Sequence, residues 1–275
     1  MGNIFVIGPR KSGKTTYLAG LAYWSKRKMA FNQKTFSVHP LNDDAKYLAE
    51  QAKNIIVSGD SLEGTRLPLG GVSDLPVYSF QIEVKRKLHK NETINLVVKD
   101  AAGELFDELE SGFIYQKHED LFQEFLSKDV GGCLIFLTGW QGNSDEYYAQ
   151  KLRVFTQKID FYERTKDLRV AVAITKCERG ELWPGRLDPG FDLFDVHLRQ
   201  TKLLLQSEIA PENLRFFALS TFGVLGRNDP RPNRINEPGW DGEMSVLREP
   251  DKWQPYSIFS PLYWLSTGNR IGVNA

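Results

Sequence analysis

Only two cysteines occur among 275 residues, Cys133 within an apolar run and Cys177 in a polar loop signal, and neither has a metal-ligand or redox-motif spacing. That argues against a disulfide-stapled fold and a cysteine metal centre, and a reduced setting is the simplest expectation. No sign of charge prevails: 35 basic residues offset 35 acidic ones. No overall field therefore favours nucleic acid, an anionic membrane or an acidic substrate, and any partner must be recognised locally. Apolar runs stop short of the roughly 18 residues that a membrane-spanning helix needs. The first motif begins within a few residues of Met1, which leaves no room for a cleaved leader. A soluble, cytoplasmic protein is expected, with neither nucleic acid nor membrane as a partner. The histidines, His39, His89, His118 and His197, are scattered and form no Ser/His/Asp arrangement.

What is present is enough for a substantial core, since 41% of the residues are hydrophobic. A single α/β domain spanning 1–275 with insertions is the expectation. Asn3 to Ile7 reads as a buried strand, and Lys14 to about Met29 carries Leu18, Leu21 and Ala22 at helical spacing. A long segment, about 30–76, holds a possible strand at Thr35 to Val38, an amphipathic helix at about Asp43 to Val57, and the Gly/Pro-rich "SGDSLEGTRLPLGG". Two strand patterns, "VYSFQIEVKRKL" and "TINLVVKD", flank a short polar turn and predict an antiparallel hairpin. Thereafter helices alternate with the strands "GCLIFLTG", "RVAVAITK" and "LRFFALST", which implies a mostly parallel sheet covered on both faces. About 223–255 is rich in Gly, Pro, Asn and Asp and reads as an irregular insert before a last helix, "SPLYWLS".

Chemistry concentrates in a few motifs. Gly8-Pro9-Arg10-Lys11-Ser12-Gly13-Lys14-Thr15 has the spacing of a phosphate-binding loop, placed after a strand and at the start of a helix. Backbone NH groups of Gly8, Lys11, Ser12, Gly13, Lys14, Thr15 and Thr16 would surround phosphate oxygens. The Lys14 ammonium would neutralise the β and γ phosphates, and the Thr15 hydroxyl would ligate magnesium. Asp100-Ala101-Ala102-Gly103 follows the hairpin, where an Asp reaches magnesium and a glycine NH touches the γ phosphate. Thr175-Lys176-Cys177-Glu178 ends a strand. A lysine stem on a purine, followed by a carboxylate accepting two NH bonds, selects guanine over adenine.

GPRKSGKT, DAAG after an antiparallel hairpin, TKCE, and Leu219-Ser220-Thr221 at the last strand resemble, in that order, the Ras-like branch of the translation-factor-related GTPases. Within it, "GPRKSGKTTYL", "DAAGE" and "SPLYWLS" look similar to bacterial double-GTPase-type proteins of multi-component systems. The resemblance implies a three-layer P-loop NTPase fold, an about six-stranded sheet that is mostly parallel with one antiparallel strand. It implies GTP/GDP and Mg2+ as ligands, and makes Asp100 the magnesium carboxylate and Gly103 the γ-phosphate NH. Thr175, Lys176 and Glu178 then read guanine, and Ser220 and Thr221 support the base. Thr65, or alternatively Ser73, becomes the switch residue at the metal. A protein partner, either an effector or a second GTPase-like protein, is implied by the same analogy.

Departures from that pattern bear on mechanism. Glu104 stands where many such proteins place a water-orienting Gln, and a carboxylate near γ-phosphate charge is repelled unless a cation compensates. Arg10 and Lys11 occupy loop positions that are often small; they either supply that charge in cis or point to solvent. Glu178 replaces the usual Asp. A GTPase switch of low intrinsic rate is the leading expectation. A GTP-binding interaction module with little hydrolysis, and a P-loop ATPase or small-molecule kinase, are the alternatives. The basic clusters Lys26-Arg27-Lys28 and Lys85-Arg86-Lys87 read as solvated faces.

Overall fold

The computed structural model describes residues 3–24, 30, 31, 34–58, 76–86, 89–99, 106, 109, 116–139, 144–239 and 242–269. Strand β1 (Asn3–Ile7) leads through the glycine loop into α1 (Lys14–Trp24). Next come β2 (Ala30–Phe31), β3 (Lys34–Pro40) and α2 (Asp43–Lys53), which continues into a π-helical turn, Asn54–Ser58. The Asn42 side chain caps α2 by accepting from the Ala45 amide at 3.1 Å. Asp43 and Asp44 in its first turn and Lys53 in its last match the helix dipole. The hairpin is β4 (Val77–Arg86) and β5 (His89–Lys99).

The alternating half follows: α3 (Gln116–Phe125), β6 (Val130–Leu137), α4 (Ser144–Phe161), β7 (Arg169–Ile174), α5 (Arg199–Glu208) and β8 (Leu214–Ala218). Strands β1, β6, β7 and β8 form a parallel sheet in the order β1-β6-β7-β8. Its side chains alternate between two cores, as a period of two requires. Ile4, Val6, Leu134 and Phe136 join an apolar cluster with α1 and α2, whereas Phe5, Ile7, Ile135 and Leu137 join a second cluster with α3 and α4. The layers are therefore helix, sheet, helix.

Two features differ from the sequence reading. The sheet expected to hold about six strands is a parallel sheet of four, and a separate antiparallel sheet of four has the order β2-β3-β4-β5. β5 runs alongside β1. The hairpin was legible, but β3 extends it by pairing along β4 from Lys34 opposite Arg86 to Pro40 opposite Phe80. Second, the segment expected to be irregular contains two antiparallel ribbons, β9 (Val224–Gly226) with β10 (Asp229–Pro232), and β11 (Arg234–Gly239) with β12 (Gly242–Leu247). Prolines and glycines read as loop by composition, yet a two-stranded ribbon is all edge and tolerates them. The last helix, α6 (Ser260–Thr267), forms as expected.

The ribbons are tied back to the body. Trp253 Nε1 donates to the Thr221 carbonyl at 2.8 Å, and its ring lies against Tyr23 and Trp24 of α1. Gly223 has φ +73°, and a Cβ there would stand 1.8 Å from the Gln254 carbonyl oxygen. Both native thiols, Cys133 and Cys177, are buried, and burial raises both well above the ordinary thiol range. Among the described residues no helix is long and apolar enough to cross a membrane.

Gly223→Ala combines a left-handed backbone with a backbone clash, so urea denaturation should show a loss of about 2 kcal/mol or more. Gly226→Ala, with nothing within 4 Å of the added Cβ, should stay within about 0.5 kcal/mol of the parent. Equal midpoints for the two variants would contradict this account.

Candidate nucleotide-binding site

The glycine loop is built on close contacts. A Cβ at Gly8, whose φ is +155°, would sit 2.5 Å from the Phe136 carbonyl oxygen of β6, so only glycine lets the loop leave β1 at that approach. Lys11 has φ +61° and Gly13 φ +94°. Ser12 donates its amide to the Pro9 carbonyl at 3.2 Å, and α1 starts with the Tyr17 amide on the Gly13 carbonyl at 2.9 Å. The Lys14 ammonium is buried and folded back over the loop, donating to the Gly8 and Pro9 carbonyls at 2.7 and 2.9 Å. Thr15 and Thr16 are half-buried on the first helical turn, and Arg10 and Lys11 are exposed.

The loop fits an oxyanion on an observation of its own. Ser12 is fully buried, and its hydroxyl has no hydrogen-bond partner among the described residues. A buried hydroxyl without a partner is costly, and an anion at the start of a helix is the partner the local dipoles favour.

Thr175 joins this loop to the end of β7. Its hydroxyl bridges, at 2.7 Å from the Ser12 carbonyl and 3.1 Å from that of Leu137, while its amide donates to Leu137 at 2.9 Å. Lys176, at φ +57°, donates from Nζ to the Lys11 carbonyl at 2.7 Å, and its Cε lies 3.8 Å from where a Gly13 Cβ would stand. Burial, aided by the Arg234 guanidinium and opposed by Glu178, lowers Lys176 to about 8. The third segment is also adjacent: the Cys177 amide donates to Leu219 at 3.1 Å, and Leu219 to Ile174 at 2.9 Å.

Glu178 is fully buried. Its Oε1 stands 3.5 Å from an Arg234 guanidinium nitrogen, and its Oε2 has no partner among the described residues. Ser220 and Thr221 take supporting positions. The Ser220 hydroxyl accepts from the Gly223 amide at 2.7 Å, and its backbone exchanges bonds with Tyr256 at 3.1 and 2.8 Å. The Thr221 methyl faces Gly20 of α1, where a Cβ would come within 2.7 Å of it.

The structure thus brings together Gly8 to Thr16, Thr175 to Glu178, and Ser220 with Thr221. Asp100, Gly103, Glu104, Thr65 and Ser73 lie outside the described residues. Among those described, no three His, Cys, Asp or Glu side chains group as a metal site. Sequence reasoning missed Arg234, which comes from the inserted ribbon 56 positions away and belongs to no spacing pattern. It also missed Arg186, whose guanidinium stacks 4.0 Å from the Trp183 ring and 5.5 Å from Tyr256. A cavity of about 860 Å³ opens at the β8 edge, lined by Arg215, Glu212, Phe217 and Trp264 among others, and no residue of the glycine loop lines it.

No protein-family model and no curated protein matches this chain. Solved structures do match at low similarity. The SRb-GTP/SRX signal recognition particle receptor complex from Chaetomium thermophilum aligns at 11% identity and a TM-score of 0.39, over 81% of this chain and 92% of that one. The GTPase-like domain of Ski7 from S. cerevisiae, bound to GDP and inorganic phosphate, aligns at 13% and 0.43, over 82% of this chain and 45% of that one. Toc33 from Arabidopsis thaliana, in complex with GDP and Mg2+, aligns at 15% and 0.42, over 98% and 85%. A likeness this distant carries no argument about what this chain binds or does.

Thr175→Val keeps the shape and removes a hydroxyl whose one proton is shared between two buried carbonyls, so it should cost about 1–2 kcal/mol in urea denaturation and speed amide exchange in the glycine loop. An unchanged exchange rate there would remove the bridge from the account. Lys176 should lose its proton as pH rises through about 8, against 10.5 for an ordinary lysine. The sign follows from a depressed folded value: burying the charged amine costs stability below about pH 8, and the cost fades between there and 10.5. NMR of Cε-labelled lysines should show one early-titrating resonance that Lys176→Arg abolishes.

Proposed function

We propose that this chain is a guanine-nucleotide-binding switch, one P-loop domain that hydrolyses GTP to GDP and phosphate slowly and acts on a protein partner. The observation that carries the reading is the Thr175 bridge. It fixes a loop suited to phosphate against a turn that ends in the buried, half-satisfied carboxylate of Glu178. A purine with two neighbouring N–H donors satisfies such a carboxylate; adenine, with an acceptor at ring N1 and only a C–H at C2, lacks that pair.

Each residue then has a chemical task. Lys14 exchanges the Gly8 and Pro9 carbonyls for phosphate oxygens, and Ser12 and the loop amides hold the remaining oxygens. The Lys176 stem covers one face of the base. Ser220 and Thr221 shape the last loop around it. Magnesium, when bound, offsets phosphate charge; Thr15 and Asp100 would hold it, with Thr65 or Ser73 from the switch segment. Glu104 would orient the attacking water as a hydrogen-bond acceptor, and Arg10 of the glycine loop is the cation proposed to temper its charge.

A second reading rests on the same Glu104. A carboxylate beside γ-phosphate oxygens retards hydrolysis, which fits an interaction module that holds GTP and turns it over little. A bacterial multi-component setting and a second GTPase-like partner belong to the proposal through the resemblance of the motifs alone.

Equilibrium titration of fluorescent GDP and ADP with magnesium tests the central claim. GDP should bind at least tenfold more tightly than ADP, a difference of about 1.4 kcal/mol. Lys14→Ala should weaken both by about tenfold or more, whereas Glu178→Ala should erase the preference for guanine. Tighter binding of ADP would turn the reading to an ATPase. Single-turnover phosphate release, with Glu104→Gln as the comparison, separates the slow GTPase from the binding module.

A further inference from the structure

Glu178 is enclosed, with 1% of its side chain exposed, yet poorly served. One oxygen meets Arg234 at 3.5 Å, the limit of a hydrogen bond, and the other meets no donor among the described residues. Arg234 opens β11, and its side chain is 11% exposed. Its Nε donates to Asn236 Oδ1 at 3.1 Å, so the guanidinium is held more closely by its own strand than by the carboxylate. The root of the ribbon is firm. Asn233 is fully buried, donates from Nδ2 to the Glu249 carbonyl at 3.0 Å, and accepts the Glu249 amide at 2.8 Å. A fixed root with a loosely engaged arginine at the carboxylate is the arrangement of a displaceable cap.

The chemistry of the contact sharpens this. A guanidinium offers a carboxylate planar, neighbouring N–H donors, and the edge of guanine that carries its ring N–H and exocyclic amine offers the same. The two are alternative occupants of one carboxylate. We propose that Arg234 is a built-in competitor for the base: it covers Glu178 until a guanine edge displaces it, and so sets both the affinity and the entry rate for guanine nucleotide.

This inference rests on the guanine reading given above. A ligand whose receptive state is only partly populated binds more weakly by that fraction, and removing the competitor recovers it. With the receptive state at about one tenth, Arg234→Gln should tighten GDP about tenfold, mostly through faster association, and leave ADP unchanged. The experiment is stopped-flow binding of fluorescent GDP and ADP to the full chain, with melting curves to show that each variant is folded. Arg234→Lys keeps the charge and loses the planar fork, so it should give a smaller gain in the same direction. In a Glu178→Gln background the Arg234→Gln gain should vanish. Weaker or unchanged GDP binding in Arg234→Gln, or a gain that survives Glu178→Gln, would overturn the proposal while leaving the guanine reading intact. Equal binding of GDP and ADP by the parent and by Arg234→Gln would overturn the guanine reading, and this inference with it.

Discussion

The Thr175 hydroxyl is the point on which the site turns. It sits just past the end of β7, at the carboxyl edge of the parallel sheet, and reaches the Ser12 carbonyl of the glycine loop and the Leu137 carbonyl of β6. All three groups are buried, where a hydrogen bond is electrostatically stronger than in water and an unmade one is more costly. The Cys177 and Leu219 backbone bonds carry the same register into the last loop. Segments far apart in the chain, at 8–16, 175–178 and 219–221, thus share one foundation. The side chains above it are free to be chemical because the backbone below it is settled.

Neutral overall charge conceals a local imbalance. Lys176, Arg234, Arg179 and Lys11 all act on the same small region, with Glu178 the opposing charge. Burial first, and the other cations second, hold the Lys176 ammonium below the ordinary lysine range, and its amine turns to a carbonyl rather than to the carboxylate. Arg186 manages its charge differently, stacking on the Trp183 ring beside Tyr256 and donating to the Trp183 carbonyl at 2.7 Å. Among the described residues at this spot, cations outnumber their carboxylate partner, which leaves a local excess of positive charge.

What the sequence made legible was local. The glycine loop reads directly because glycine, lysine and threonine spacing fixes its conformation over eight residues. The alternation of apolar strands and amphipathic helices placed β6, α4, β7 and β8 to within a few residues, because both cores draw on one period of two. Relations between distant segments were not legible. β3 pairs with β4 across a long insertion, and nothing in Lys34–Pro40 names its neighbour. The ribbons were hidden by their own prolines. Thr175 belongs by sequence to the guanine-reading motif, and only the fold shows its hydroxyl donating to the carbonyls of Ser12 and Leu137. Arg234 is an ordinary surface arginine in sequence, and only the fold of the insert carries it to Glu178.

Both cysteine sulfurs lie inside the apolar layers, Cys133 in β6 and Cys177 just beyond β7. Only a thiolate reacts, and burial suppresses it at both positions. The chain is thus already silent toward thiol chemistry, a natural blank slate for spectroscopy. A cysteine introduced on the exposed face of the second ribbon would be the one reactive handle, and a dye or spin label placed there would watch Arg234 and its strand move without first stripping the protein of anything it needs.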